Sequence, residues 1–252
     1  MVLELNWLQW MIALATAFSI GLTKTGIPGL SILFIPLMAE YFPAKASTGI
    51  VLPLLMFADV FAVAYYRRHA VWPCLLRLMP WTALGVVIGF VAMERIDDSQ
   101  LKPIIGAIIL VILVVNFWFE NSGRGDLFVS QNWWFAVGTG VAAGVTTMMA
   151  NAAGTIVSIY FLTMKIPKTE FIGTGAWYFF LLNWFKVPFS ASLNLITAES
   201  LQLDFMVFPA VAVGAVAGIV FLKRIPEKKF RVFVQALAAI AAIKLLHYVR
   251  TS

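Results

Sequence analysis

The chain has 252 residues, 62% of them hydrophobic and only 12% charged, and its mean hydropathy is +0.91. A soluble domain is nearer half apolar and about a quarter charged, so a water-soluble globule is excluded and a bilayer is the solvent that fits. The net charge of +6 comes without a basic run interleaved with aromatics, which excludes a nucleic-acid partner, and Cys74, His69 and His247 make neither a disulfide nor a metal cluster.

Ten apolar segments follow one another along the chain, at 7–22, 28–42, 47–66, 75–93, 103–119, 133–149, 152–164, 171–189, 205–222 and 230–249. A crossing needs roughly 20 mostly apolar residues, so most of these are long enough. The length allows about eight to ten passes and leaves little for a soluble domain. No basic stretch precedes the first segment and no small-residue cleavage pattern follows it, so 7–22 reads as a span and not as a removed signal.

Four segments are short: the first, second, sixth and seventh. The first two are separated only by Thr23, Lys24, Thr25, Gly26 and Ile27, and the later pair only by Ala150 and Asn151. Such tight polar junctions do not read as interfacial loops.

An internal repeat pairs these features. Pro80, Gly85, Gly89, Arg95 and Ile96 recur at the same spacing as Pro209, Gly214, Gly218, Arg224 and Ile225, 129 residues on. Pro43 and Gly49 recur as Pro167 and Gly173, and Gly21 and Thr23 as Gly144 and Thr146. The reading is an N-terminal membrane repeat over 1–120, a connecting loop over 121–131 and a C-terminal membrane repeat over 132–252. Each repeat has about five helical segments and begins with a broken or re-entrant helix pair. An odd number of segments per repeat places equivalent elements on opposite sides of the membrane. The predicted fold class is therefore an all-α polytopic membrane protein with two inverted repeats, a pattern typical of transporters. Twelve of the 18 Lys and Arg residues fall in the odd-numbered connections, so that side is predicted cytoplasmic.

Irregular backbone at membrane depth must line a cavity or lie buried in protein. The stretch from Gly21 to Gly29 is expected to break the helix. Gly26 and Gly29 permit unusual dihedrals, and Pro28 suits the first turn of a new helix. The amides of such a helix start bind anions. Lys24, with the hydroxyls of Thr23 and Thr25, completes a cradle for a small oxyanion. The competing reading is a kink from which Lys24 snorkels to the surface. The second break carries Thr146, Thr147, Asn151 and Thr155 but no cation, with Asn151 as a fitting N-cap. Two such breaks meeting near the midplane would share one pocket.

Asp59 lies deep in the third segment, and its repeat mate is Asn183. It is either a proton-coupling group or a partner for Lys24 or Lys186. Lys186, three residues after Asn183, shares its helix face and is either a pocket cation or an interfacial anchor. Trp177, Tyr178 and Phe179 either wall a pocket or pack. The glycine pairs Gly85 and Gly89, and Gly214 and Gly218, fit helix contacts within one chain or in a homodimer. No nucleophile elbow, zinc-binding His–Glu pair or phosphate loop is present, so neither an enzyme nor a cofactor is expected.

Gly21–Gly29, Pro43–Gly49, Pro167–Gly175 and Asn183–Pro188, in that order, resemble the TauE/SafE transmembrane sulfite exporter family over nearly the full length. The resemblance implies a secondary transporter of small sulfur-containing anions in a bacterial plasma (inner) membrane. Sulfite, sulfoacetate and other organosulfonates are the substrates it suggests, bound at a central site between two inverted bundles. A passive anion channel and a non-transporting assembly or signalling factor are the alternatives.

Overall fold

The computed structural model describes residues 5–26, 31–121, 133–164 and 166–224. Pro28, Gly29, the tenth segment at 230–249 and nearly all of the connecting stretch 121–131 lie outside the described residues. The described residues form nine α-helices and one 3-10 turn, with no strand among them. The helices are α1 (Trp7–Thr25), α2 (Ser31–Tyr41), α3 (Ala44–Tyr66), α4 (Trp72–Arg95), α5 (Asp98–Asn121), α6 (Trp133–Ala150), α7 (Ala153–Thr163), α8 (Lys168–Ser192) and α9 (Ala198–Arg224).

Local chemistry sets several of these boundaries. Asn6 accepts the Gln9 amide at 2.8 Å while the Gln9 side chain accepts the Asn6 amide at 3.0 Å, a reciprocal cap that starts α1. Pro43 and Pro167 stand just before α3 and α8, where a locked φ suits the extended residue that precedes a helix. Pro53, Pro80, Pro103, Pro188 and Pro209 all sit inside helices. That placement is tolerated within membranes because neighbouring helices re-satisfy the freed carbonyls.

Length separates two kinds of helix. At 1.5 Å per residue, α2 and α7, with 11 residues each, reach only about 16 Å, half of the roughly 30 Å hydrocarbon core. Ala44–His69, Trp72–Arg95 and Ala198–Val220 are both long and apolar enough to cross. Phe205 and Trp7 are 75% and 72% exposed, as a lipid-facing surface permits. The described chain is an all-helical membrane protein.

The first helix pair differs from the expected break. Helix α1 does not stop at Gly21 but runs on through Lys24 to Thr25. Gly26, with φ −143° and ψ −53°, lies outside the left-handed region. These glycines serve close approach instead. A Cβ on Gly21 would strike the Val211 carbonyl and one on Gly26 the Gly218 backbone, both on α9. Across the molecule, a Cβ on Gly85 would strike Val141 and one on Gly144 would strike Thr82, closing α4 onto α6. The glycine stripes thus join helices within one chain.

Two apolar cores result. One is built by α4, α6, α7 and α8 with parts of α3 and α5, and the other chiefly by α1, α3 and α9. Helices α3 and α8 pack against each other where the two meet.

Candidate functional site

Asp59 on α3 is fully buried. Its Oδ1 lies 2.8 Å from the Lys24 ammonium, and its Oδ2 accepts from the Asn183 amide at 2.6 Å. Of the two cations that the sequence leaves open for Asp59, Lys24 holds it. Lys24 is delivered by the last turn of α1, and its ammonium also sits 4.1 Å from the Phe179 ring centre, a favourable cation–π position. The aromatic run of α8 divides its work: Phe179 takes the cation, Tyr178 shares a hydrogen bond with Thr82, and Trp177 donates to the Arg67 carbonyl.

Lys186 is only 1% exposed, so it is not an interfacial anchor. Its ammonium donates to the Thr147 carbonyl at 2.7 Å, the Thr147 hydroxyl at 3.2 Å and Asn151 Oδ1 at 2.6 Å. Those bonds can use all three of its protons. Thr147 lies in the last turn of α6, where its carbonyl also accepts the Asn151 amide at 3.0 Å and the helix carries the negative end of its dipole. Lys186 therefore caps α6 from a different helix.

Asn151 does not open α7, as expected from the sequence; Ala152 is the residue before that helix and provides no side-chain cap. Asn151 instead ends α6 in the left-handed region, with φ 52°, a conformation asparagine tolerates better than most residues. From there its amide donates to the Thr48 carbonyl at 3.0 Å while its oxygen receives Lys186.

A cavity of about 80 Å³ lies against both clusters. One water needs about 10–15 Å³, so the space suits an anion of a few heavy atoms. Thr23, Lys24, Thr147, Asn151, Thr155, Ser158 and Asn183 supply the polar lining. Ile35, Leu55, Phe161, Phe171 and Phe179 contribute to the apolar wall. Gly154 and Thr155 belong to the first turn of α7, whose amides have no intrahelical acceptor. A Cβ added at Gly154 or Gly175 would meet nothing, because both face this open space.

The structure brings Lys24, Thr147, Asn151, Thr155 and Asn183 to the cavity wall, with Asp59 and Lys186 bonded directly behind them. It places three expected site residues elsewhere. The Thr25 hydroxyl donates to the Ala215 carbonyl at 2.7 Å and Gly26 abuts Gly218, so both belong to the α1–α9 seam. The Thr146 hydroxyl turns back onto the Ala142 carbonyl at 2.8 Å. In a helix, Thr146 and Thr147 point about 100° apart, so only one of them reaches the cavity. Ser158 is a lining residue without a sequence signal. Asp204, fully buried in α9, fell before the expected start of the ninth segment at 205. No group of His, Cys, Asp and Glu able to hold a metal is present among the described residues.

Apolar outer faces, an all-helical build and buried charges around a small cavity define a polytopic membrane protein with an internal polar site. The chain belongs to the sulfite exporter TauE/SafE family, whose model matches residues 13–245. The family is one of membrane transporters for sulfite and related sulfur anions. No curated protein and no solved structure matches the chain.

Proposed function

We propose that the protein is a secondary transporter of small sulfur-containing anions, either sulfite or an organosulfonate such as sulfoacetate, in a bacterial inner membrane. The observation that carries this reading is the charge balance beside the cavity. Lys24 is neutralised by Asp59, whereas Lys186 meets only carbonyl, hydroxyl and amide oxygens. The cluster thus holds two cations and one carboxylate, a surplus positive charge in a region where charge is costly. One negative charge placed in the cavity balances it. The oxygens of the bound anion would take hydrogen bonds from Thr155 and the first-turn amides of α7, with Lys24 and Lys186 supplying the field. The same donors suit sulfite and a sulfonate head.

Alternating access about this site is favoured by the way the halves interlock. The first helix of one half packs on the fourth helix of the other, α1 on α9 and α6 on α4, through glycines at equivalent repeat positions. Asp59 and Asn183, the repeat mates, bond each other at the centre. Reciprocal contacts of this kind are what two inverted repeats, 1–120 and 132–252, would produce, and rocking one bundle against the other would open the cavity to each side in turn.

The test is counterflow in proteoliposomes loaded with unlabelled sulfite or sulfoacetate and exposed to the labelled anion. Saturable uptake accelerated by internal substrate is expected. Flux that neither saturates nor shows counterflow would make the protein a channel. No flux, together with no thermal shift from any anion, would make it an assembly or signalling factor.

A further inference from the structure

Asp204 takes no part in the cluster described above. It is 0% exposed, and neither carboxyl oxygen has a hydrogen-bond partner. Helix α9 packs against α1 and α3. The other charged groups on these three helices are Lys24 on α1, Lys45 and Asp59 on α3, and Glu199, Lys223 and Arg224 on α9 itself. Lys24 and Asp59 hold each other, and none of these groups bonds Asp204. Tyr65 and Tyr66 lie at the far end of α3, beyond the point where Phe57 stacks on Phe208 at 4.3 Å.

A second buried group on the same helix pair is also unpartnered, the hydroxyl of Thr16 on α1. Helices α1 and α9 run parallel, since Gly21 meets Val211 and Gly26 meets Gly218. Thr16 and Asp204 therefore both lie on the N-terminal side of the glycine contact, between it and one membrane face.

Packing alone does not call for a carboxyl here. Asp204 stands five residues before Pro209, and the matching position before Pro80 is Leu75. Leu75 is likewise 0% exposed, so the equivalent site in α4 accepts an apolar side chain. A lone carboxylate in a dry interior is strongly unfavourable, and an acid within a membrane span is a candidate proton relay. Asp59 is poorly suited to that task, because Lys24 and Asn183 stabilise its charged form.

We propose that Asp204 is a proton-binding site that couples anion movement to a proton gradient, an inference that rests on the transport reading above. In the loaded state an O–H bond forms at one carboxyl oxygen with a proton from the water on one side. The neutral acid is the form the dry interface accepts. When the helices rearrange and water reaches the carboxyl from the other side, that O–H bond breaks and the proton leaves with the water. No electrons move.

The experiment compares wild type with Asp204→Asn, which is isosteric and permanently neutral, in proteoliposomes with labelled sulfite. For an anion moving with one proton, a gradient of about one pH unit supports up to about tenfold accumulation. Wild type is expected to approach that value. Asp204→Asn is expected to keep counterflow and lose gradient-driven accumulation. Accumulation by Asp204→Asn at the wild-type level overturns the proposal. Absence of counterflow in wild type strikes the transport reading instead. An infrared spectrum of the purified protein then decides the proton site alone: a carboxylic-acid carbonyl band present in wild type and lost in Asp204→Asn supports it, and its absence in wild type overturns it. If Asp204→Asn fails to fold, Asp204→Leu, matching Leu75, serves in its place.

Discussion

The α1–α2 and α6–α7 junctions share a Gly-x-Thr pattern, Gly21–Thr23 and Gly144–Thr146, but handle charge differently. At the first, the cation is part of the junction itself: Lys24 ends α1 and reaches a carboxylate on α3. At the second, the junction carries no cation, and Lys186 arrives from α8 to cap α6 and hold Asn151. Both arrangements bring an ammonium to the cavity's edge. Only the first is neutralised by an acid, and that asymmetry leaves the site positive. Helix geometry can be shared by the two junctions while their charge differs, because glycine contacts set the geometry and a few side chains set the charge.

Breaking the neutralised junction should have the largest effect. Lys24→Ala leaves Asp59 buried beside Asn183 without its ion partner, and removing one member of a buried pair costs about 3–5 kcal/mol. Thermal unfolding in detergent should show a clear fall in Tm, and a second change, Asp59→Asn, should recover most of it. No recovery in the double variant would separate Lys24 from Asp59 energetically.

Lys186→Met removes the surplus charge instead. A unit charge about 6–10 Å away at an effective dielectric constant of about 20 contributes about 1.5–3 kcal/mol, so anion affinity should fall by about one to two orders of magnitude. Titration of sulfite or sulfoacetate against the purified protein reads this directly. Unchanged affinity would show that the charge asymmetry has no part in binding.

Filling the space between the junctions tests the cavity without touching charge. Gly175→Val adds side-chain atoms where a Cβ meets nothing. The Tm should stay near wild type, since replacing glycine in a helix tends to help by a few tenths of a kcal/mol, while anion uptake is lost. Retained uptake would move the pathway elsewhere. The smallest effect is expected for Thr25→Val, which gives up one hydrogen bond to α9, worth about 1 kcal/mol. Affinity should be unchanged, whereas Thr155→Val at the cavity should lower it severalfold.

Much of the fold was legible because the bilayer demands long apolar segments, and those announce themselves. The third and eighth segments, expected from 47 and 171, begin three residues earlier as α3 and α8, just after Pro43 and Pro167, whereas α6 begins at Trp133 as expected. The site was legible in part. Asp59, Asn183, Lys24 and Lys186 stood out because ionisable and amide groups are rare in apolar runs. Thr25 and Gly26 misled, because a threonine beside a glycine reads equally well as a ligand cradle or as a helix seam. The choice depends on what lies opposite, and here that is Ala215 and Gly218, 190 or more residues away in the chain. Asp204 escaped notice because it precedes the apolar stretch of α9 by one residue, though the helix itself begins at Ala198.

By itself the sequence determined that this chain lives in a membrane, that the Pro80–Ile96 pattern recurs at Pro209–Ile225, and that a handful of buried polar residues needed partners. Composition, period and spacing are local quantities, and each of those conclusions needs nothing more. Only the tertiary structure decided which partner each residue found. Lys24 took Asp59, Lys186 took the end of α6, and the glycines joined α1 to α9 and α4 to α6. The physical reason is distance: these pairs are remote in the chain, and whether a buried charge is neutralised or left over depends on what folding brings within about 3 Å of it.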